Sequence, residues 1–170
     1  MKYLVFIMAF ALSACGFQPL YEAGGSSALM QEQLASVDVG HIPDRLGQVM
    51  RNRLVSRLNT AGNPAFMLEV ALDQVSENFG VRPDTATTQE QLTLVATIKM
   101  ISHTTGEPVL EESFRARTSF DRVLSDFATV TQREDAARRL ALELAERIHR
   151  RLALHFANAA DVAAIEAGNN

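Results

Sequence analysis

A chain of 170 residues with 47% hydrophobic side chains is long enough for one domain with a packed core. Its formal net charge of −4 excludes a surface built for non-specific nucleic-acid binding, which needs a basic surplus. The single cysteine excludes an intramolecular disulfide, so stability has to come from packing.

Lys2 is followed by an apolar stretch from Tyr3 to Leu12, and then by Ser13-Ala14-Cys15. A positive start, a short greasy run and small residues before a cleavage point are the parts of a secretory signal peptide. The run falls short of the roughly 20 residues that a membrane-spanning helix needs. Residues 1–14 therefore read as a signal peptide. Leu12-Ser13-Ala14-Cys15 also resembles a bacterial lipobox; an ordinary signal peptide with a free cysteine nearby is the plainer reading. The lipobox resemblance implies cleavage before Cys15, diacylglycerol on its sulfur and fatty acylation, such as palmitate, of the new N-terminus. Gly16, where a retention signal would favour Asp, implies sorting to the outer membrane, with the protein lipid-anchored on its periplasmic face. Two or three acyl chains hold a protein firmly where one does not.

Residues 15–32 read as a lipidated N-terminus and tether. Phe17, Leu20 and Tyr21 are too apolar for a pure spacer, whereas Glu22 to Ser27 are flexible by composition. A first strand is expected near Ala35 to His41, with Val37 and Val39 on one face. Ile42-Pro43-Asp44 opens a helix, because proline is tolerated in a first turn and Asp favours the positive helix N-terminus. Leu46, Met50, Leu54 and Leu58 form its apolar stripe, leaving Arg51, Arg53 and Arg57 solvated. Gly62 is the expected C-cap, and Pro64 blocks the helix from resuming.

Three strands follow. Phe66, Leu68, Val70 and Leu72 alternate with Met67, Glu69, Ala71 and Asp73; Gly80 to Thr88 read as a loop. Leu92, Leu94, Ala96, Ile98 and Met100 mark the second strand, and Gly106 lies in the turn after it. Leu110, Phe114, Ala116 and Phe120 mark the third, with Glu111, Ser113, Arg115, Arg117 and Ser119 opposite them. The pattern predicts an antiparallel meander with one apolar face. A long helix then starts near Ser125, or at the capping-box sequence Thr131-Gln132-Arg133-Glu134. Ala137, Leu140, Leu144, Ile148, Leu152 and Phe156 line its buried side. Glu143 with Arg147 and Glu146 with Arg150 are spaced as i,i+4 ion pairs. The pattern lapses after Asn158.

The order β-α-β-β-β-α predicts an α+β two-layer sandwich, with two helices on one face of a four-stranded, mostly antiparallel sheet. Residues 33–158 form the expected single domain and 159–170 a frayed tail.

Little in the chain suggests catalysis. His41, His103, His149 and His155 lack metal-ligand spacing, no cysteine is left for zinc, and Ser113 lacks a nucleophile-elbow setting. No cofactor-binding, phosphate-cradling or paired-carboxylate motif is evident, so the expected function is non-enzymatic. Arg115 and Arg117 share one strand face, where guanidinium groups can grip phosphate or carboxylate in bidentate fashion. The alternative pairs them with Glu69, Asp73 or Glu111 on that face. Arg133, Arg138, Arg139, Arg147, Arg150 and Arg151 fall on the solvated side of the long helix.

With Cys15-Gly16-Phe17-Gln18-Pro19-Leu20-Tyr21 after the lipobox, an Arg-bearing first helix, the Gly62-Asn63-Pro64 break and a C-terminal Ala-x-x-Leu-Ala-x-x-Ile helix, the chain resembles the lipopolysaccharide-assembly lipoprotein family (LptE), in a form typical of alphaproteobacteria. The resemblance implies a Gram-negative outer-membrane subunit that plugs the large β-barrel partner LptD, assists its assembly and contacts lipopolysaccharide. It also implies that basic residues meet lipid phosphates, for which Arg82, Arg115 and Arg117 are candidates by charge and placement. An auxiliary lipoprotein of a lipid-transporting ABC system is the competing function.

Overall fold

The computed structural model describes residues 26–60, 62–81, 87–121 and 125–168. Chain order is α1 (Ser26–Ala35), β1 (Val37–Val39), α2 (Asp44–Leu58), β2 (Phe66–Val81), β3 (Thr87–Ser102), β4 (Pro108–Asp121) and α3 (Asp126–Gly168). The strands form one sheet in the order β1-β2-β3-β4. β1 runs parallel to β2, and the other two pairings are antiparallel. The sheet is thus mixed, because the β1–α2–β2 crossover returns the chain in the same direction.

The alternation read in the sequence decides which face is covered. Leu68, Leu92, Leu94, Ile98 and Met100 are fully buried beneath Met50, Leu54 and Leu58 of α2 and Leu144, Ile148 and Leu152 of α3. α3 lies over β3 and β4, with α2 alongside it. Ala136, Ala137, Ala141 and Ala145 are buried on α3, where small side chains allow close approach to neighbouring elements. Phe66 and Phe156 close one end of the core with ring centroids 5.7 Å apart. Gly47 is required by contact rather than by torsion. A Cβ there would lie 2.7 Å from Ile42 Cγ2 and 2.8 Å from the Ile42 carbonyl oxygen.

Several local expectations change. Ser26–Ala35, read as tether and strand start, is a helix whose Met30 and Leu34 pack against the core, so the described residues form three helices where two were expected. The C-cap of α2 is Asn59, left-handed at φ 50° with its N–H bonded to the Val55 carbonyl, rather than Gly62. Asn adopts this conformation more readily than most non-glycine residues. β2 runs through Gly80 to Val81 and β3 starts at Thr87, so both ends of the expected loop are strand, while 82–86 lie outside the described residues. α3 begins at Asp126, where Ser125 Oγ accepts the Ala128 N–H. Thr131 is already inside the helix, bonding back to the Phe127 carbonyl. The helix also continues past Asn158 to Gly168, which alanine-rich sequence favours even without an apolar stripe.

Candidate functional site

Among the described residues nothing covers the face of the sheet opposite the helices, and β2, β3 and β4 extend 16, 16 and 14 residues along it. Arg115 and Arg117 both lie on this face and are exposed. Register places Arg115 opposite Val95 and Arg117 opposite Thr93, so neither has an acid directly across. Asp73 is opposite Val95 on the far side of β3, about two strand spacings (~10 Å) from Arg115. Glu111 sits opposite Lys99 and pairs with it at 3.7 Å. The pairing of these arginines with Glu69, Asp73 or Glu111 is therefore not formed. Arg82 and Cys15 lie outside the described residues.

The arginines read as solvated on the helices are mostly engaged. Arg53 and Arg57 of α2 donate to one carboxylate oxygen of Glu146 on α3, at 2.6 and 3.0 Å. Glu146 is turned toward α2 and away from the expected i,i+4 partner Arg150, because it lies on the side of α3 that packs beside α2. Arg57 first, then Arg53, hold its carboxyl below the usual carboxylate range. The Glu143–Arg147 pair does form, at 2.6 Å, and Arg147 also donates to the Arg115 carbonyl at 2.9 Å. Arg151 reaches Glu112 at 2.6 Å, and Arg51 Nε bonds the carbonyls of Val39 and Gly40. Glu111 and Glu112 thus point to opposite faces, as neighbours on a strand must.

Glu90 was hidden in the sequence. It shares the inward parity of Leu92 and Leu94 and is buried, its carboxylate held by Arg133 of α3 and the Ser76 hydroxyl. A carboxylate in phase with an apolar strand face is the signal, obscured because residues up to Thr88 read as loop. Hydrogen bonding to Glu90 raises the Arg133 pKa against the opposing effect of burial, so the guanidinium stays charged. Beside this pair, a cleft of about 430 Å³ opens between α2, α3 and β2, with Arg45, Leu46, Val49, Gln74 and Arg138 among its walls. Phe127 on the first turn of α3 is 82% exposed.

Burial lowers the pKa of His149 against the opposing charge of Glu146 and with the charges of Arg57 and Arg150; burial also lowers that of His155, helped by Arg151. Among the described residues, no cluster of three or more His, Cys, Asp or Glu side chains could hold a metal, and no helix is long and apolar enough to cross a membrane. What the geometry offers is a broad sheet face of mixed character on an apolar core, with Val75 and Phe79 exposed on it beside polar residues and two arginines that form no ion pair among the described residues.

A small mixed sheet backed by helices on one face defines a two-layer α+β domain. The sequence profile of the LptE lipopolysaccharide-assembly family matches residues 33–152, and the chain belongs to that family. Its role accordingly lies in lipopolysaccharide assembly. A curated relative is the uncharacterized protein RP188 of Rickettsia prowazekii (strain Madrid E), 23% identical over 150 residues that cover 88% of this chain and 94% of the relative. Among solved structures, the fold is similar to a Caulobacter crescentus CB15 protein provisionally classed as a lipoprotein. The TM-score is 0.62 at 19% identity, over 76% of this chain and 97% of that one. It is also similar to rare lipoprotein B from Shewanella oneidensis, with a TM-score of 0.59 at 15% identity over 72% of this chain and 96% of that one.

Proposed function

We propose that the protein is a non-enzymatic lipoprotein subunit of the outer-membrane lipopolysaccharide translocon. In this reading it is anchored through lipid on Cys15, plugs the LptD β-barrel, assists its assembly and contacts lipopolysaccharide during insertion at the cell surface. The observation that carries the reading is the sheet face left uncovered by the described residues, which bears charges of both signs, with Arg115 and Arg117 in no ion pair among those residues and Val75 and Phe79 as its exposed apolar side chains on β2. A barrel lumen is itself polar, so a plug needs charges of both signs and little exposed apolar surface. The lipobox and the lipoprotein names of the structural neighbours support the anchor. A shared membrane would convert docking into a nearly intramolecular step.

Lipopolysaccharide phosphates then bind Arg115 and Arg117, with Arg82 contributing. Two measurements test this. Purification of the full chain from outer membranes brings down a large β-barrel in stoichiometric amount; recovery with an inner-membrane ATPase complex instead would favour the ABC-transporter role. Charge reversal of Arg115 and Arg117 lowers binding of phosphorylated lipid A more than that of a dephosphorylated analogue. Equal loss for both lipids would remove the arginines from phosphate recognition.

A further inference from the structure

The two edges of the sheet are treated differently. β1 has only three residues, and side chains engage the carbonyls beside it: Arg51 bonds those of Val39 and Gly40, and Thr60 bonds that of Val37. The other edge, β4, is 14 residues long. In antiparallel pairing the N–H and C=O of one residue point to the same side, and successive residues alternate. The Arg115 carbonyl is taken by Arg147, and the Ser113 and Thr97 hydroxyls meet at 3.4 Å, the close side-chain approach of a non-hydrogen-bonded pair. Ser113, Arg115, Arg117 and Ser119 therefore direct their backbone groups to the open edge.

Edges are ordinarily protected by proline, charged side chains (lysine above all), bulges, shortness or a covering element, and of these β4 has charged side chains along its length. On β4 the only proline is Pro108 at the strand start, and the one register shift lies beside it, opposite Met100/Ile101. From Leu110 to Asp121 the edge carries no proline or lysine, and Arg147 alone reaches over an outward carbonyl among the described residues. Arg115 and Arg117 flank it on the uncovered side, in no ion pair among the described residues, whereas Arg147 and Arg151 from α3 on the other side are already paired with Glu143 and Glu112.

We infer that the open edge of β4 takes up an extended, glutamate- or aspartate-bearing segment of a partner polypeptide as a fifth strand, with Arg147 guarding the edge until the segment arrives. Backbone hydrogen bonds supply the pairing, and acidic side chains at alternate positions of the segment lie beside Arg115 and Arg117. The inference goes beyond the plug reading, since it assigns a backbone-mediated contact to one strand.

The test is amide hydrogen exchange on the full chain with a synthetic seven-residue peptide alternating glutamate with valine and threonine, against a lysine counterpart. The glutamate peptide should slow exchange at Ser113, Arg115 and Arg117 while leaving the amides bonded to β3 unchanged. S113P removes one outward N–H at an edge position where proline is tolerated, and should weaken binding about tenfold, the equivalent of one strand hydrogen bond. Arg115 and Arg117 remain in that variant, so its lipid A binding should not change. R147A leaves β4 itself intact and frees the Arg115 carbonyl, so it should tighten peptide binding. Equal binding of the lysine peptide, absence of protection along β4, or no response to either substitution would overturn the inference. So would β4 protection that grows with protein concentration without peptide, which would make a second copy of the chain the occupant.

Discussion

Arg133 on α3 grips Glu90 on β3 through two hydrogen bonds, Nε to Oε1 at 2.6 Å and Nη2 to Oε2 at 2.7 Å, with Ser76 Oγ donating to the same carboxylate at 2.9 Å. The Glu90 side chain is 1% exposed, so this pair fastens the start of α3 to the far half of the β2–β3 hairpin. A buried ion pair is costly to form but costlier to break on one side. Because Arg133 itself is 38% exposed and only Glu90 is buried, R133A should destabilise the protein by about 1–3 kcal/mol. The apolar double replacement E90L with R133M should recover most of that loss. Urea unfolding of the three chains checks both expectations, and a single variant as stable as the parent would show that Glu90 does not depend on Arg133.

The buried face of α3 gives a second contrast. Ile148 is fully buried, whereas Arg150 is exposed and its expected partner Glu146 is occupied by Arg53 and Arg57. I148D should unfold the domain by placing an unpaired charge in the core. R150A should change stability by no more than about 0.5 kcal/mol, as for a surface site. Matching thermal melts for the two variants would reverse the assigned helix face.

G47A adds one methyl group at the crossing of α2 with the chain at Ile42. Because the nearest obstacles include the Ile42 backbone, the new atom cannot be accommodated by a rotamer change alone. A loss of about 1–3 kcal/mol is expected, although alanine is the better helix former. A gain in stability in thermal or urea unfolding would show that the α2–Ile42 contact relaxes freely.

Acidification should weaken the fold through His149 and His155. Burial lowers both folded-state pKa values, so the unfolded chain binds protons first. Their contribution is complete above the unfolded histidine pKa of about 6.5 and is lost as pH falls through that value toward the folded one. Glu146 acts in a lower window. Its depressed pKa supplies stability above the ordinary carboxylate value that disappears as pH falls through the depressed one. H149N should flatten the first step in a series of urea midpoints between pH 7.5 and 5 and leave the acid limb in place. An unchanged slope would remove His149 as its cause.

For Cys15, intact mass spectrometry of the membrane-extracted protein should give a chain beginning at that residue and heavier by its acyl groups. C15A, exported by a replacement signal, should be soluble and folded, since residues between Leu34 and Phe156 supply the described core. An unmodified chain starting at Met1 would defeat the anchor.

How much was legible in the sequence depends on the range of the interaction. Alternation in Leu92 to Met100 and the four-residue spacing of Met50, Leu54 and Leu58 identified buried faces correctly, because each pattern lies within one element and burial acts on it directly. The α+β class, the meander and the two main helices followed from those patterns, and so did the uncovered face of Arg115 and Arg117. Helix ends were less legible, since Asn59, Ser125 and the α3 extension to Gly168 turn on caps and propensities that differ by about 1 kcal/mol or less.

What the tertiary structure alone decided is the pairing of charges. Glu146 satisfies an i,i+4 rule with Arg150, yet Arg53 and Arg57, 93 and 89 positions away, take it. Glu90 meets Arg133 across 43 positions and Arg151 meets Glu112 across 39. A guanidinium group on a long stem can reach any carboxylate that packing brings near, and one-dimensional spacing holds no record of that proximity. The same holds for the edges of the sheet: the sequence determined that β4 is a strand, but only its place at the end of the order β1-β2-β3-β4 left its backbone open.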